Sequence, residues 1–453
     1  MPNSSRIVQG AQFIRITVLL SALFLTGAAQ AADLLETYRD AIGYDAQFSA
    51  AKSARDAGRE KLPQGRAGLL PTLALSANTV WNENSFQFRP SGGTVPANYN
   101  SNGWSLNLAQ PLFRWQNWAS YQQSELLVAQ AETQYGLARQ DLALRVAQAY
   151  FDVLLAEENL ATAQAQKTAI SEQLASAKRN FEVGTATITD THEAQARSDL
   201  TTAQEIAAAN DLQLRRDALQ ILIGKDASRL KTLRPAVQIA RPQPDDIGQW
   251  VAAAEKDSLA VQVALAALEI ADREVDKQRA GHYPTLDLVA SRGRSTLGQT
   301  FMFGQDLPGS VQDSTTIGLQ LAIPVFAGGA TTSRNREAVA LRDKARSDLD
   351  NAHRQAALSA RQAYLGVTSG LAQVKALEQG LVSSRSALDS NKLGYEVGVR
   401  INIDVLNAQQ QVYSTRRDLA KARLDTLSAQ LRLKAAVGAL GEADLAAVNA
   451  LLE

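Results

Sequence analysis

Apolar positions along this chain switch between a helical and an extended period in the same order twice. Residues 33–66 have a helical composition that runs up to Pro71. From there Leu73, Leu75, Ala77 and Trp81 alternate with Thr72, Ala74, Ser76 and Asn78, and Trp104, Leu106 and Leu108 alternate with Ser105 and Asn107. This period of two predicts strands over about 70–85 and 104–113. The second half repeats the switch, with Leu286 and Leu288 around Asp287, then Ile317, Leu319, Leu321 and Ile323 around Thr316, Gly318 and Gln320. It predicts strands over about 284–297 and 315–325. Polar, Gly/Asn/Ser-rich connections at roughly 86–102 and 298–313 read as flexible surface loops. Strands with one apolar and one polar face suit a barrel wall, apolar to lipid and polar to lumen, and equally a half-buried soluble sheet.

The helical segments after the strands are unusually long. Nothing breaks the pattern over about 115–183 or 331–397, which at 1.5 Å per residue is about 100 Å of helix. Leu142, Val146, Ala149, Val153, Ala156 and Leu160 step as a heptad seam, and Leu137, Leu144, Ala147, Phe151 and Leu154 form a second seam beside it. A helix with two such seams has neighbours on both sides, as in a closed ring of helices. Shorter helices over 33–66 and 188–222 together equal the long one in length, so stacked end to end they would run alongside it. The segments 246–279 and 403–437 stand in the same relation to 331–397.

These halves are copies. Phe181-Glu182-Val183-Gly184 returns as Tyr395-Glu396-Val397-Gly398, followed in each case by an aspartate, Asp190 and Asp404, and by an Ala-Gln pair. Pro71-Thr72-Leu73 returns as Pro284-Thr285-Leu286, and Gln148-Ala149-Tyr150 as Gln362-Ala363-Tyr364. The offset of about 213 residues marks a tandem duplication, with repeats over 32–235 and 236–453. Each repeat supplies two strands. Four strands cannot close a barrel, whereas three chains supply about twelve, an ordinary size for an outer-membrane barrel. Edges left unpaired in lipid are forbidden, so assembly would be obligatory, and a trimer is the simplest closure.

The ends and the composition narrow the class. Arg6 and Arg15 precede an apolar stretch from Ile16 to Leu25, and Ala29-Gln30-Ala31 supplies a cleavage site. Residues 1–31 thus read as a secretory signal peptide, with the exported chain starting near Ala32. No later stretch approaches the ~18 apolar residues of a transmembrane helix. The chain has no cysteine, which excludes disulfides and thiolate chemistry. Its 46 basic residues balance 46 acidic ones, so no electrostatic argument points to nucleic acid. His192, His282 and His353 show no metal-ligand spacing. Neither a phosphate loop nor a nucleophile elbow occurs. The sequence therefore predicts a protein that is not an enzyme and needs no cofactor or metal.

A set of motifs in fixed order covers the whole exported chain: Gly281-His282-Tyr283-Pro284-Thr285-Leu286-Asp287-Leu288, the two Glu-Val-Gly turns, Ile188-Thr189-Asp190, Asp404-Val405-Leu406, and Leu440-Gly441-Glu442-Ala443-Asp444-Leu445. In these it resembles the TolC family, the outer-membrane channel-tunnels of Gram-negative multidrug efflux and type I secretion. The resemblance implies a mainly α homotrimer with a small transmembrane β-barrel. A 12-stranded barrel in outer-membrane lipid would continue into a coiled-coil tunnel of α-helices reaching through the periplasm. It also implies docking to a periplasmic adaptor and an inner-membrane transporter. Carried over by motif, gate links near the periplasmic turns would join Asp190 and Thr189 to Tyr395 and Arg400, and Asp404 would face the pore as a ring of three. Where the family has a second pore aspartate one helical turn on, this chain has Asn407, so the constriction should be less electronegative.

The same residues have plainer readings. Asp190 begins Asp-Thr-His-Glu193, the spacing of a capping box, and Asp404 can cap its helix likewise. Tyr395 can simply pack in a last turn. Arg400 gains nothing from the dipole of the helix start beside it, which favours a specific partner. Gly184 and Gly398 read as C′ residues that need positive φ and set the turns. The function expected is a passive, gated exit duct for drugs or secreted proteins. The alternative is a periplasmic structural or adaptor protein built of coiled-coil hairpins around a buried sheet.

Overall fold

The structure, a computed structural model, describes residues 32–87, 89, 92–234, 237–302 and 305–453. The expected signal segment 1–31 lies outside them. Helices α1 (Leu34–Tyr44), α2 (Ala46–Arg59) and α3 (Lys61–Ala67) lead into strands β1 (Thr72–Gln87) and β2 (Thr94–Phe113). Helices α4 (Trp115–Glu182), α5 (Ile188–Ile223), α6 (Ile247–Asp257) and α7 (Leu259–Arg279) follow. Next come β3 (Thr285–Leu297), the short β4 (Thr300–Met302) and β5 (Gln305–Leu307), and β6 (Ser310–Ala322). The chain ends with α8 (Ala330–Glu396), α9 (Asn402–Ala436) and α10 (Glu442–Asn449). It divides into two units. One holds the chain up to Ser49, Arg139–Val251 and Ser359–Glu453; the other holds Ala50–Ala138 and Ala252–Leu358.

The second unit contains an antiparallel sheet of order β1-β2-β3-β6, with β1 and β6 as its edges. Its register puts Leu73 opposite Leu108, Leu75 opposite Leu106 and Ala77 opposite Trp104. Across the sheet Leu286, Leu288 and Ala290 face Leu321, Leu319 and Ile317. These residues share one face, because side chains alternate along a strand. Leu75 is 71% exposed and Ile317 75%, so nothing among the described residues covers it. The opposite face is small and polar: Ser76 pairs with Ser105 through their hydroxyls at 2.8 Å, and Ser291 faces Thr316. In the same unit Arg59 pairs with Glu132 at 2.5 Å, while the Gln123 amide donates to Glu274 at 3.0 Å. The first part of α4 thus lies between α2 and α7.

In the first unit the two heptad seams of α4 are buried along much of their length, although Leu137, at the start of the second seam, is exposed. Leu142, Val146 and Val153 are fully buried, as are Ala147 and Phe151 to within 2%. Arg216–Glu157 (2.7 Å) and Lys167–Glu205 (2.6 Å) tie α4 to α5. Arg416–Glu158 (2.7 Å), and the Tyr413 hydroxyl donating to the Ala165 carbonyl (3.2 Å), tie it to α9. The Tyr150 hydroxyl donates to the Lys231 carbonyl at 2.8 Å, and burial raises its pKa above the ordinary value. The connection after α5 bridges Leu230 to Ala32 and Leu233 to Leu452, gathering both ends of the described chain.

Several elements differ from the sequence reading. The helix expected over 33–66 is three helices. Asp45 ends α1 and its carboxylate accepts from the Phe48 amide, opening α2. Pro63 fits only the first turn of a helix, where its missing N–H is not needed, so α3 starts afresh at Lys61. The segment 246–279 likewise divides at Ser258, whose extended ψ of 129° interrupts it. The polar stretch 94–102, read as loop, is strand: it pairs with β1 from Gln87 back to Thr79. Val95, Ala97 and Tyr99 alternate there with Thr94, Asn98 and Asn100, a short period of two set among Pro and Asn residues, and the backbone ladder forms across all of it. The Asn82 and Asn100 amides add bonds to Ser101 and Thr79. The second expected loop, 298–313, contains the β4–β5 hairpin and the start of β6.

Candidate functional site at the helix turns

The turns joining α4 to α5 and α8 to α9 share one backbone design. In the first, the Asn180 carbonyl accepts from the Thr185 and Ala186 amides (2.8 and 3.1 Å); in the second, the Gly394 carbonyl accepts from Val399 and Arg400 (2.9 and 3.1 Å). Gly184 (φ 80°) and Gly398 (φ 77°) hold the left-handed positions that close each helix. Val183, Val397, Val399 and Ile401 stand exposed around them.

The side chains break the symmetry. Thr187 caps α5 in a capping box, its hydroxyl accepting from the Asp190 amide (3.2 Å) while the Asp190 carboxylate accepts from the Thr187 amide (2.9 Å). The box is therefore Thr187–Asp190, one turn earlier than the Asp190–Glu193 spacing suggested. In the second repeat Ile401 takes the position of Thr187 and offers no side-chain cap. Asp404 is not an N-cap residue but lies in the first turn of α9, 3.6 Å from Arg400. Tyr395 stands where the first repeat has Phe181, and its hydroxyl accepts from the Asn180 amide at 3.3 Å.

Within the chain, among the described residues, no hydrogen bond or ion pair joins Asp190 or Thr189 to Tyr395 or Arg400. Other residues connect the two turns. Asn402 is fully buried; its carbonyl oxygen accepts from the Gln173 amide on α4 and its amide donates to the Asp190 carbonyl (3.4 Å) on α5. Arg197 on α5 donates to Asn407 (3.0 Å) and Gln410 (2.6 Å) on α9. The sequence reading passed over Gln173, Asn180, Arg197, Asn402 and Gln410. One signal was available: in the duplicated pattern Asn402 answers Ile188, so a polar residue occupies a slot that the other repeat fills with an apolar one.

No helix among the described residues is long and apolar enough to cross a membrane, and no cluster of His, Asp and Glu among them can hold a metal ion. The profile of the family described as "Outer membrane efflux protein" matches residues 37–225 and 250–439. The chain belongs to that family. It is 32% identical over 438 residues to the proteases secretion protein PrtF of Dickeya chrysanthemi, covering 95% of this chain and 93% of PrtF. It is 31% identical over 444 residues to the outer membrane protein TolC of Escherichia coli K12, covering 97% of this chain and 88% of TolC. Its fold resembles the Campylobacter jejuni CmeC outer membrane channel, with a TM-score of 0.78 at 18% identity, over 91% of this chain and 87% of CmeC. Family and relatives give the chain an outer-membrane location and the mainly helical fold with a β-domain of these channels.

Proposed function

We propose that this chain is the outer-membrane exit duct of a tripartite export system in a Gram-negative bacterium. Three copies join the β1 and β6 edges of neighbouring sheets into a barrel of about twelve strands. Their helices form a tunnel through the periplasm. The observation that carries the reading is the sheet. Its exposed apolar face suits lipid, its Ser/Asn/Thr face suits a wet lumen, and its two edges need partners in a bilayer. The duct is passive: an inner-membrane transporter supplies energy and a periplasmic adaptor grips the turns, where exposed Val183, Val397, Val399 and Ile401 offer apolar contacts. Similarity to a protease secretion protein supports type I protein secretion as cargo traffic, alongside efflux of small molecules.

The turns form the closed end, with Asp404 and Asn407 lining its constriction. Thr189, Asp190, Tyr395 and Arg400 serve as gate links between copies in the closed trimer. Single-channel recording of the purified protein in a planar bilayer tests the proposal. A small, stable conductance that grows in Tyr395→Phe/Arg400→Ser supports both duct and lock. Correctly folded trimers that pass no current, in wild type and variant alike, refute the duct.

A further inference from the structure

We propose that Arg197 determines the charge selectivity of the constriction, making it tolerant of anions where a ring of aspartates would favour cations. The inference rests on the proposed placement of Asp404 and Asn407 at the pore. Asp404, Asn407 and Gln410 follow one another three residues apart along α9 and so share a face, on which Asn407 and Gln410 are exposed. The guanidinium of Arg197 reaches this face from α5 and donates through separate nitrogens to the side-chain oxygens of Asn407 (3.0 Å) and Gln410 (2.6 Å). Two hydrogen bonds in a fork fix the group.

An amide is the acceptor this arrangement leaves neutral. A carboxylate at 407 would cancel the guanidinium charge, whereas Asn407 orients it and adds no negative charge of its own. The remaining charges nearby are Arg400 and Asp404, themselves 3.6 Å apart, and Glu193, one turn before Arg197 on α5. The constriction therefore balances Arg400 and Arg197 against Asp404 and Glu193, with the Arg197 cation fixed on pore-facing amides. Anionic solutes meet no electrostatic barrier there, and polyvalent cations find no unpaired aspartate ring to bind.

The test is the reversal potential of the purified trimer in a planar bilayer under a potassium chloride gradient. Wild type should show little or no cation preference. Arg197→Gln, which keeps hydrogen bonding without charge, should raise the cation-to-anion permeability ratio at least about twofold, the effect of roughly one screened unit charge within several ångströms. Asn407→Asp should raise it further, and Arg197→Lys should restore the wild-type ratio because the charge is kept. Should Arg197→Gln leave the ratio unchanged while Asp404→Asn shifts it, the constriction stands and the role of Arg197 is refuted. If neither substitution moves it in channels that still conduct, the constriction lies elsewhere and the inference falls with that placement.

Discussion

Asn402 lends itself to a quantitative test, because its buried amide joins three helices. Replacing it by alanine removes the acceptor of the Gln173 amide and the donor to the Asp190 carbonyl. The second bond is long, at 3.4 Å, and contributes little. The first leaves a half-buried Gln173 amide without its partner, a loss of about 1–3 kcal/mol. A central figure of about 2 kcal/mol corresponds to a roughly 30-fold shift in a local opening equilibrium. Hydrogen exchange of the detergent-solubilised protein reads this directly. Amides around 183–190 and 397–404 should exchange roughly 10- to 30-fold faster in Asn402→Ala, while α10 is unaffected. Asn402→Leu combined with Gln173→Leu removes both partners and should recover most of the protection, since no buried amide is then stranded. Unchanged exchange at both turns in Asn402→Ala would refute the clasp. Equal loss in the single and double variants would show that packing, not the hydrogen bond, holds the turns.

Further outcomes follow from other sites. The Arg145 guanidinium, 3.0 Å from Asp45, holds the Asp45 carboxyl below its ordinary value of 3.8, outweighing burial, with the Phe48 amide assisting. A lowered folded-state pKa gives stability that is full above 3.8 and lost as pH falls through the depressed value. The thermal midpoint of wild type should therefore exceed that of Asp45→Asn at neutral pH, and the gap should close only on acidification below about pH 4. Gly398→Ala should cost about 1–2 kcal/mol from left-handed strain alone, since a Cβ there meets nothing within 4 Å. Gly398→Asn should cost less, and equal thermal shifts for the two would contradict the turn geometry. On the sheet, Leu319→Arg should impair barrel assembly by about 2–4 kcal/mol if the apolar face meets lipid. Gln320→Arg, on the other face, should assemble normally; comparable trimer yields from outer membranes would count against that orientation.

Much of this protein was legible locally. The period of two in Leu73–Leu75–Ala77 and Ile317–Leu319–Leu321 marks strand and face together, because side-chain direction follows from backbone repeat alone. The Glu-Val-Gly turns were readable for a similar reason: Gly184 and Gly398 occupy a conformation that other residues avoid. Where turn-forming residues crowd a strand, legibility lapsed. Residues 94–102 alternate only weakly, through Val95, Ala97 and Tyr99 among Pro96 and three asparagines, and it is pairing with β1 that makes them a strand. The capping box was found but placed a turn late, since Thr187 and Asp190 both offer suitable oxygens and only the chain path selects between them. Nothing local singled out Gln173, Arg197 or Asn402. Polar residues on long helices are ordinary, and their partners lie 229, 210 and 212 residues away. Backbone preference and apolar periodicity act over a few neighbours, so the sequence alone determined the elements and their faces. Hydrogen bonding between side chains depends on which helices come to lie together, and only the tertiary structure decided that.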